Sequence, residues 1–552
     1  MNAPFTKTNG GPLMAVDGLG RPLPTQKDGV PAPRQNRLVG LFYFLWLGEH
    51  GRGGPYDVSK MVAEDPALGY KPDSDKWGGI GVYHHWGEPF YGYYCSDDEW
   101  VARRHIKLLM QTGIDFLFFD TTNAVIYEKN AKMIMRILQE YHDDGWKIPQ
   151  VMFYTNTRSG ETVERLLETI YLPAFCRDTW FCPGGRPLII AVPEECSQRA
   201  RDFFDIKLSQ WPNEPDKRGG WPWMDFTRPQ RVFEGLGDDP ATINVSVAQH
   251  PQLRFGDSVL YGETGNCGRA YHNGQNDPAP DAYLYGYNFA EQFERAIEAD
   301  PPVVLVTGWN EWIAGHWEGI PERPVMFVDC ANYEYSRDIE MMRGGYFDHY
   351  LMQLASYVRR YKGMEPPHCH RAGEVAVYDG FADGGMSRCA EGYGGIVYEN
   401  HTARNVITRV SVRHDAETLR FALETSEPIT PYDGKGAWMR LYLNTCGGQG
   451  YDYLLNLCPD GEQPAHALVA RMVGRGDELK AQVIEDVRAD LAQAGNQMSL
   501  TVSRRALGLD GRPFTLWFKA ADSTEEYRSV EDFYDSGVVL PLGRLNFTYC
   551  GE

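Results

Sequence analysis

From about residue 38 to residue 361 the chain alternates short apolar runs with amphipathic segments, whereas residues 1–36 lack periodicity. The run at 302–306 is apolar at every position and ends near Gly308, which is typical of a strand covered on both faces. Helical patterns occupy about 128–143, 161–171, 288–299 and 342–361. An earlier helix opens with the capping and acidic residues at 96–99 and ends at Gly113. Comparable strand patterns occupy 38–46, 115–120, 150–154, 187–192, 204–211, 221–225 and 243–249.

This alternation predicts an α/β fold with a closed (β/α)8 TIM-like barrel. An open, doubly wound sheet is the alternative. No GxGxxG motif follows the first strand, which argues against a dinucleotide-binding sheet of that kind.

The pattern changes after Pro366 and Pro367 to short alternating strands, which predict an all-β sandwich. We therefore expect an N-terminal extended arm over 1–37, a barrel over 38–365 and a sandwich over 373–552. Trp438 and Tyr442 lie an even number of positions apart, so we expect them to share one strand face and to pack inside the sandwich.

Composition narrows the classes of partner. The net charge of −21 disfavours nonspecific nucleic-acid binding, and no apolar run reaches the roughly 18 residues of a membrane span. Aromatic residues make up 13% of the chain, which suits a carbohydrate-binding surface. No pattern predicts an oligomeric state.

The N-terminus has no basic start followed by an apolar core, so no signal peptide is visible. As written, the sequence predicts a cytoplasmic protein, whereas a trimmed export signal would make it periplasmic or secreted. The 11 cysteines include no CxxC pair, so neither a disulfide framework nor a cysteine zinc site is expected.

Polar side chains follow several predicted strands, where the active sites of barrels lie. Glycoside hydrolysis needs one carboxyl group as proton donor and a second as nucleophile or base. Glu311 is the first catalytic candidate, and Asp120, Glu263 and Glu88 are the candidates for its partner, with Asp120 preferred. A capping or hydrogen-bonding role is the alternative for each. The expected substrate-binding residues are Tyr43, Trp46, His85, Trp86, Glu88, Asn123, Asn156, Trp223, Asp225, His272, Trp309, Asn310 and Trp312.

The loop over 83–94 interleaves aromatic residues with His85 and Glu88, which suits a sugar subsite or an aromatic plug over the barrel rim. The neighbouring histidines His84 and His85 do not by themselves predict a metal site. No HExxH, GxSxG, P-loop or kinase motif occurs, so we expect neither a metal nor a cofactor.

The motif Pro89-x-x-Gly92-x-Tyr94-x-Ser96-x-Asp98, together with His105, Asp120 and the Trp309–Trp312 strand end, resembles the family 99 and family 71 glycoside hydrolases. The resemblance covers about 38–361. It implies a (β/α)8 barrel that acts on α-linked polysaccharides, and family 99 contains endo-α-1,2-mannosidases.

The resemblance has one departure. Family 99 carries its catalytic glutamates in a His-x-Glu-Pro-type motif, whereas the third predicted strand here ends at 154–158 without one, so mechanism and substrate are not transferred. The C-terminal region, around 437–444 and 451–453, is similar to family 9 carbohydrate-binding modules or DOMON domains. A scaffold that binds no sugar is the alternative for it.

Taken together, the sequence predicts a glycoside hydrolase that acts on a poly- or oligosaccharide. A polysaccharide lyase on the same barrel and a noncatalytic carbohydrate-binding protein are the alternatives.

Overall fold

The structure, a computed structural model, describes residues 5–252, 257–262, 265–328, 331–461, 465–474, 479–522 and 529–552. Eight parallel strands form the N-terminal sheet. In chain order they are β1 Leu38–Tyr43, β2 Phe116–Thr121, β3 Gln150–Thr155, β4 Leu188–Ala191, β5 Asp205–Gln210, β6 Gly220–Pro222, β7 Thr242–Ser246 and β8 Val303–Trp309.

These strands pair in the order β6-β5-β4-β3-β2-β1-β8-β7. Side chains on β7 close the remaining gap to the β6 region: Thr242 Oγ1 donates to the Gly220 carbonyl at 3.1 Å, and Asn244 Nδ2 donates to the Trp223 carbonyl at 2.9 Å. The predicted α/β barrel is therefore confirmed as a nearly closed, eight-stranded parallel barrel.

Eight α-helices are described: α1 Val58–Glu64, α2 Glu99–Thr112, α3 Glu128–Asp143, α4 Ser159–Leu166, α5 Gln198–Phe203, α6 Tyr287–Ala299, α7 His349–Lys362 and α8 Asp532–Asp535. The helix expected to open within 96–99 is α2, and its cap is Asp98, whose side chain accepts a hydrogen bond from Val101 N. A π-helical turn, Leu167–Tyr171, extends α4. The last barrel helix begins at His349 rather than near 342, after a Gly344–Gly345 pair in which Gly344 has φ +69°.

Alternation along the strands sorts the core into two layers. Phe118 of β2 packs inside the barrel with Phe42, Tyr154 and Trp223. Phe119 faces the other way, into the layer between strands and helices. Large aromatic side chains thus fill the barrel interior below its open end.

The C-terminal region forms one large, mostly antiparallel sheet, and the expected all-β character is confirmed. Its strands are β9 Cys369–His370, β10 Ala376–Asp379, β11 Ile407–His414, β12 Thr418–Thr425, β13 Arg440–Asn444, β14 Tyr453–Pro459, β15 His466–Val473, β16 Lys480–Ala494, β17 Gln497–Ser503, β18 Phe514–Asp522, β19 Val538–Leu540 and β20 Phe547–Gly551. The domain boundaries and the sandwich arrangement stay predictions.

Trp438 and Tyr442 are both buried, but they do not share a strand face as predicted. Met439 has φ +47° and β13 begins only at Arg440, so strict alternation does not extend back to Trp438. The two side chains consequently join different hydrophobic clusters.

Candidate active site

The carboxyl ends of β2, β1 and β8 lie level with one another at the barrel mouth. Tyr43 of β1 pairs with Phe119 on one side and with Trp309 on the other. Asp120 lies one position beyond this level and Glu311 two positions beyond it. Neighbouring strands are about 4.8 Å apart, so the backbones carrying the two carboxylates are separated by about 10 Å.

Asp120 ends the inward-facing series Phe116, Phe118, Asp120 on β2 and is only 6% exposed. Thr122 N donates to its Oδ1 at 3.0 Å. Burial raises the pKa of Asp120 to about 6, and the nearby charge of Glu311 acts in the same direction. A carboxyl group with this pKa holds a proton under mildly acidic conditions and can donate it.

Glu311 is also 6% exposed, but it is paired with a cation. Arg337 donates from Nη2 to Oε1 at 2.7 Å and from Nε to Oε2 at 3.1 Å. The Arg337 guanidinium lies 5.4 Å from the centre of the Trp223 ring. This two-point contact stabilises the negative charge on Glu311.

The backbone positions Arg337 beside the end of β8. Gly308 N donates to the Arg337 carbonyl at 3.1 Å, and Ile339 N donates to the Gly308 carbonyl at 3.0 Å. The chain therefore returns antiparallel to the strand end and places the guanidinium against Glu311. Arg337 was missed in the sequence because its surroundings have no clear periodicity.

An aromatic wall, defined as Trp46, His50, Tyr83 and Tyr127, borders Asp120. His50 stacks on Tyr83 with ring centres 4.8 Å apart, and His50 Nε2 lies 3.0 Å from the Tyr127 hydroxyl. Trp46 stacks on Phe44 at 5.8 Å and meets Tyr83 edge to face. Because Trp46 and Tyr83 are partly exposed, they offer apolar ring faces to a ligand.

The other residues of the Trp309–Trp312 element are buried and hold the mouth in place. Asn310 Nδ2 donates to the Phe44 carbonyl, and its Oδ1 accepts from Phe44 N, both at 2.9 Å. Trp312 stacks on Trp86 at 4.5 Å, and its Nε1 donates to Glu340. These contacts support a positioning role, since neither Trp309 nor Trp312 exposes a ring face.

A buried network lies behind the mouth. His105 bridges the Tyr43 hydroxyl at 3.0 Å and Glu340 Oε1 at 2.9 Å, and Tyr94 donates to Glu340 Oε2 at 2.8 Å. Asp338 Oδ1 accepts from Asn310 N at 2.7 Å. Burial, with Glu340 nearby, raises the pKa of Asp338. This network fixes Tyr43 and the turn that carries Glu311.

The predicted residues of the 83–94 loop pack inward. His85 lies between Tyr93 and Tyr393, and burial lowers its pKa to about 3. Trp86 donates from Nε1 to the Glu311 carbonyl at 2.9 Å, so it supports the strand end from behind. Glu88 pairs with Lys60 and lies 3.4 Å from Arg343 Nε.

The remaining predicted site residues are described by the contacts that hold them. Asn123 donates to the Tyr127 hydroxyl at 2.6 Å, and Asn156, after β3, accepts from Ser209 at 2.9 Å. Asp225 is fully buried and bonded to Arg231. His272 stacks on Tyr287 at 4.2 Å in a separate recess of about 800 Å³. Glu263 lies outside the described residues.

No protein-family model and no curated protein matches the chain. Among solved structures, it is similar to a GH99 endo-alpha-mannosidase from Bacteroides thetaiotaomicron: 15% identity, TM-score 0.36, 59% of this chain and 98% of that chain covered. For the same enzyme in complex with Bis-Tris-propane, the identity is 14% and the TM-score 0.35, with 59% of this chain and 98% of that chain covered. For a glycoside hydrolase-like protein, the identity is 13% and the TM-score 0.31, with 59% of this chain and 94% of that chain covered. At this level the likeness carries no argument about function, and the barrel assignment rests on the strand pairing.

No helix in the described part of the chain combines the length and apolar character that a membrane span requires.

Proposed function

We propose that the chain is a glycoside hydrolase that acts on a poly- or oligosaccharide with Asp120 and Glu311 as its carboxylate pair. The observation that carries this proposal is the contrast between their environments. Burial raises the pKa of Asp120 to about 6, whereas Arg337 contacts both oxygens of Glu311. Two carboxyl groups whose surroundings favour opposite protonation states suit the roles of acid and base or nucleophile.

In this proposal Asp120 gives its proton to the oxygen of the leaving sugar. Glu311 attacks the anomeric carbon or activates a water molecule. The exposed faces of Trp46 and Tyr83 supply apolar contact for the sugar ring next to Asp120.

A polysaccharide lyase on the same barrel is the second candidate, and the hydrogen bond between His50 and Tyr127 favours it. Burial lowers the pKa of His50, so the imidazole is neutral near pH 7 and can accept a proton. Burial raises the pKa of Tyr127, which makes its phenol a poor base. A lyase would therefore depend on His50 rather than on Glu311.

A screen of polysaccharides and nitrophenyl glycosides tests the proposal. Hydrolysis releases reducing ends without ultraviolet absorbance from an unsaturated sugar, whereas a lyase produces that absorbance. Asp120→Asn and Glu311→Gln should each remove hydrolysis of the polysaccharide, with Asp120→Asn keeping residual activity on nitrophenyl glycosides, while His50→Ala should keep part of the hydrolysis. Unsaturated product that depends on His50 would establish the lyase. Binding of a sugar without turnover in any assay would indicate a noncatalytic protein and contradict the proposal.

A further inference from the structure

A group of metal-ligating side chains lies far along the chain from the mouth, just after Pro366 and Pro367. His368 and His370 flank Cys369, and Glu374 follows after a tight turn. The candidate ligand atoms of these three residues all lie within 4.8 Å of one another.

The local structure brings the three side chains together. His370 belongs to the two-residue strand β9, His368 lies just before it, and the two imidazole ring centres are 4.6 Å apart. The chain then turns at Gly373, whose φ is +85°, and Glu374 N donates to the Arg371 carbonyl at 3.0 Å. Arg371 N donates to Glu374 Oε2 at 3.0 Å, which aims the other oxygen at the histidines.

The separations of Glu374 Oε1 from the two histidine nitrogens suit a small divalent ion. Glu374 Oε1 lies 3.1 Å from His368 Nε2 and 3.6 Å from His370 Nδ1. Ligands about 2.0–2.1 Å from a tetrahedral zinc ion are about 3.3 Å from one another. The observed separations lie on either side of that value.

An independent observation comes from His370. The residue is only 9% exposed, and its Nδ1 is buried without a hydrogen-bond partner in the described part of the chain. The ring stacks on Tyr549 with centres 5.1 Å apart and planes 3° apart. A buried imidazole nitrogen that lacks a partner and faces Glu374 is poised for a ligand.

His370 is also in contact with the C-terminal end of the chain. Glu552 N donates to the His370 carbonyl at 3.0 Å, and Tyr549 bonds to His414 Nδ1 at 2.7 Å. The end of the chain thus holds the backbone of His370, and the stack on Tyr549 of β20 packs against its ring.

We propose that His368, His370 and Glu374 bind a divalent transition ion of the zinc class. Two imidazoles and one carboxylate suit Zn²⁺, with water completing the coordination. The site was not expected from the sequence, because it has neither the CxxC nor the HExxH spacing. It is independent of the proposed hydrolase activity and would join β9 and the end of β20 to the turn that carries Glu374.

Titration of the metal-free full-length protein with Zn²⁺ alone tests this site. Wild-type protein should bind one equivalent more than the His368→Ala/His370→Ala variant. Glu374→Gln, an exposed change that preserves the fold, should weaken this equivalent at least ~100-fold, the upper end of the effect of outer-shell partners. Zn²⁺ should also raise the thermal unfolding midpoint of wild type more than that of Glu374→Gln.

Two control variants keep the assignment specific. His142→Ala removes the histidine of the other three-residue group in the described chain, His142, Asp143 and Asp178, which has no buried ligand. It should bind Zn²⁺ like wild type, and so should Cys369→Ser. Equal binding by wild type and the double histidine variant would overturn the site. Loss of the equivalent in Cys369→Ser or His142→Ala would overturn the assigned ligands.

Discussion

Two buried aspartates, Asp120 at the barrel mouth and Asp522 in the C-terminal sheet, show how differently one side chain is used. Asp522 is fully buried and accepts hydrogen bonds from Arg404 Nε at 3.0 Å, Asn405 Nδ2 at 3.1 Å and Met439 N at 2.9 Å. Asp120 accepts hydrogen bonds from Thr122 alone among the described residues.

The difference separates a carboxylate held by several donors from one that is buried with a single donor residue. The donors around Asp522 stabilise its charge and hold the chain at the start of β13. Asp120 has few donors, so burial raises its pKa to about 6. It lies near Glu311 and the partly exposed rings of the aromatic wall. A buried carboxylate with few donors at an open strand end is therefore the stronger indication of chemistry.

The largest effect is expected at Glu311. Glutamine keeps the size of the side chain but cannot transfer a proton or act as a nucleophile, so Glu311→Gln should lower turnover about 10²–10⁴-fold. The measurement is kcat on the substrate found in the screen. Glu194→Gln, which changes an exposed carboxylate that also follows a barrel strand, is the matched control and should keep normal turnover. Near-normal activity of Glu311→Gln would remove Glu311 from the chemistry.

Asp522→Asn should destabilise the protein without changing catalysis. The substitution leaves Arg404 beside a neutral amide in a buried position, and breaking a buried ion pair costs about 3–5 kcal/mol. Denaturant unfolding measures this loss, with kcat/KM as the second readout. If turnover fell while stability held, the contrast between the two aspartates would be wrong.

Asp120→Asn should have the opposite effect on stability. The folded pKa of about 6 exceeds the unfolded value near 4, so the folded protein binds more protons between these pH values and loses stability as pH rises through them. The loss at pH 7 amounts to at most about 3 kcal/mol, and the asparagine variant avoids it. Thermal unfolding at pH 4 and pH 7 checks this, and an unchanged pH dependence in the variant would contradict it.

The smallest effect is expected at Trp46. Trp46→Ala removes one apolar ring face, so it should raise KM about tenfold, equivalent to about 1.4 kcal/mol, with a smaller change in kcat. Trp46→Phe, which keeps a ring, should restore part of the affinity. A fall in kcat with unchanged KM would place Trp46 outside the sugar contact.

The sequence predicted the barrel because hydrophobic periodicity marks strands and helices locally. It also picked out Asp120 and Glu311, since polar residues that follow apolar strands gather at one mouth. It could not predict Arg337, which reaches Glu311 through a return of the chain against β8. Nor could it separate the partly exposed Trp46 from the buried Trp309, because tertiary packing alone decides which ring faces the solvent.

The pH dependence of kcat/KM in wild type and in Asp120→Asn tests the central claim most directly. If Asp120 is the proton donor, wild-type activity falls as pH rises through an apparent pKa of about 6. The Asp120→Asn variant, measured on a nitrophenyl glycoside whose leaving group needs little protonation, should show residual activity without that fall. The same fall near pH 6 in both proteins, or a flat wild-type profile from pH 5 to 7, would contradict the account.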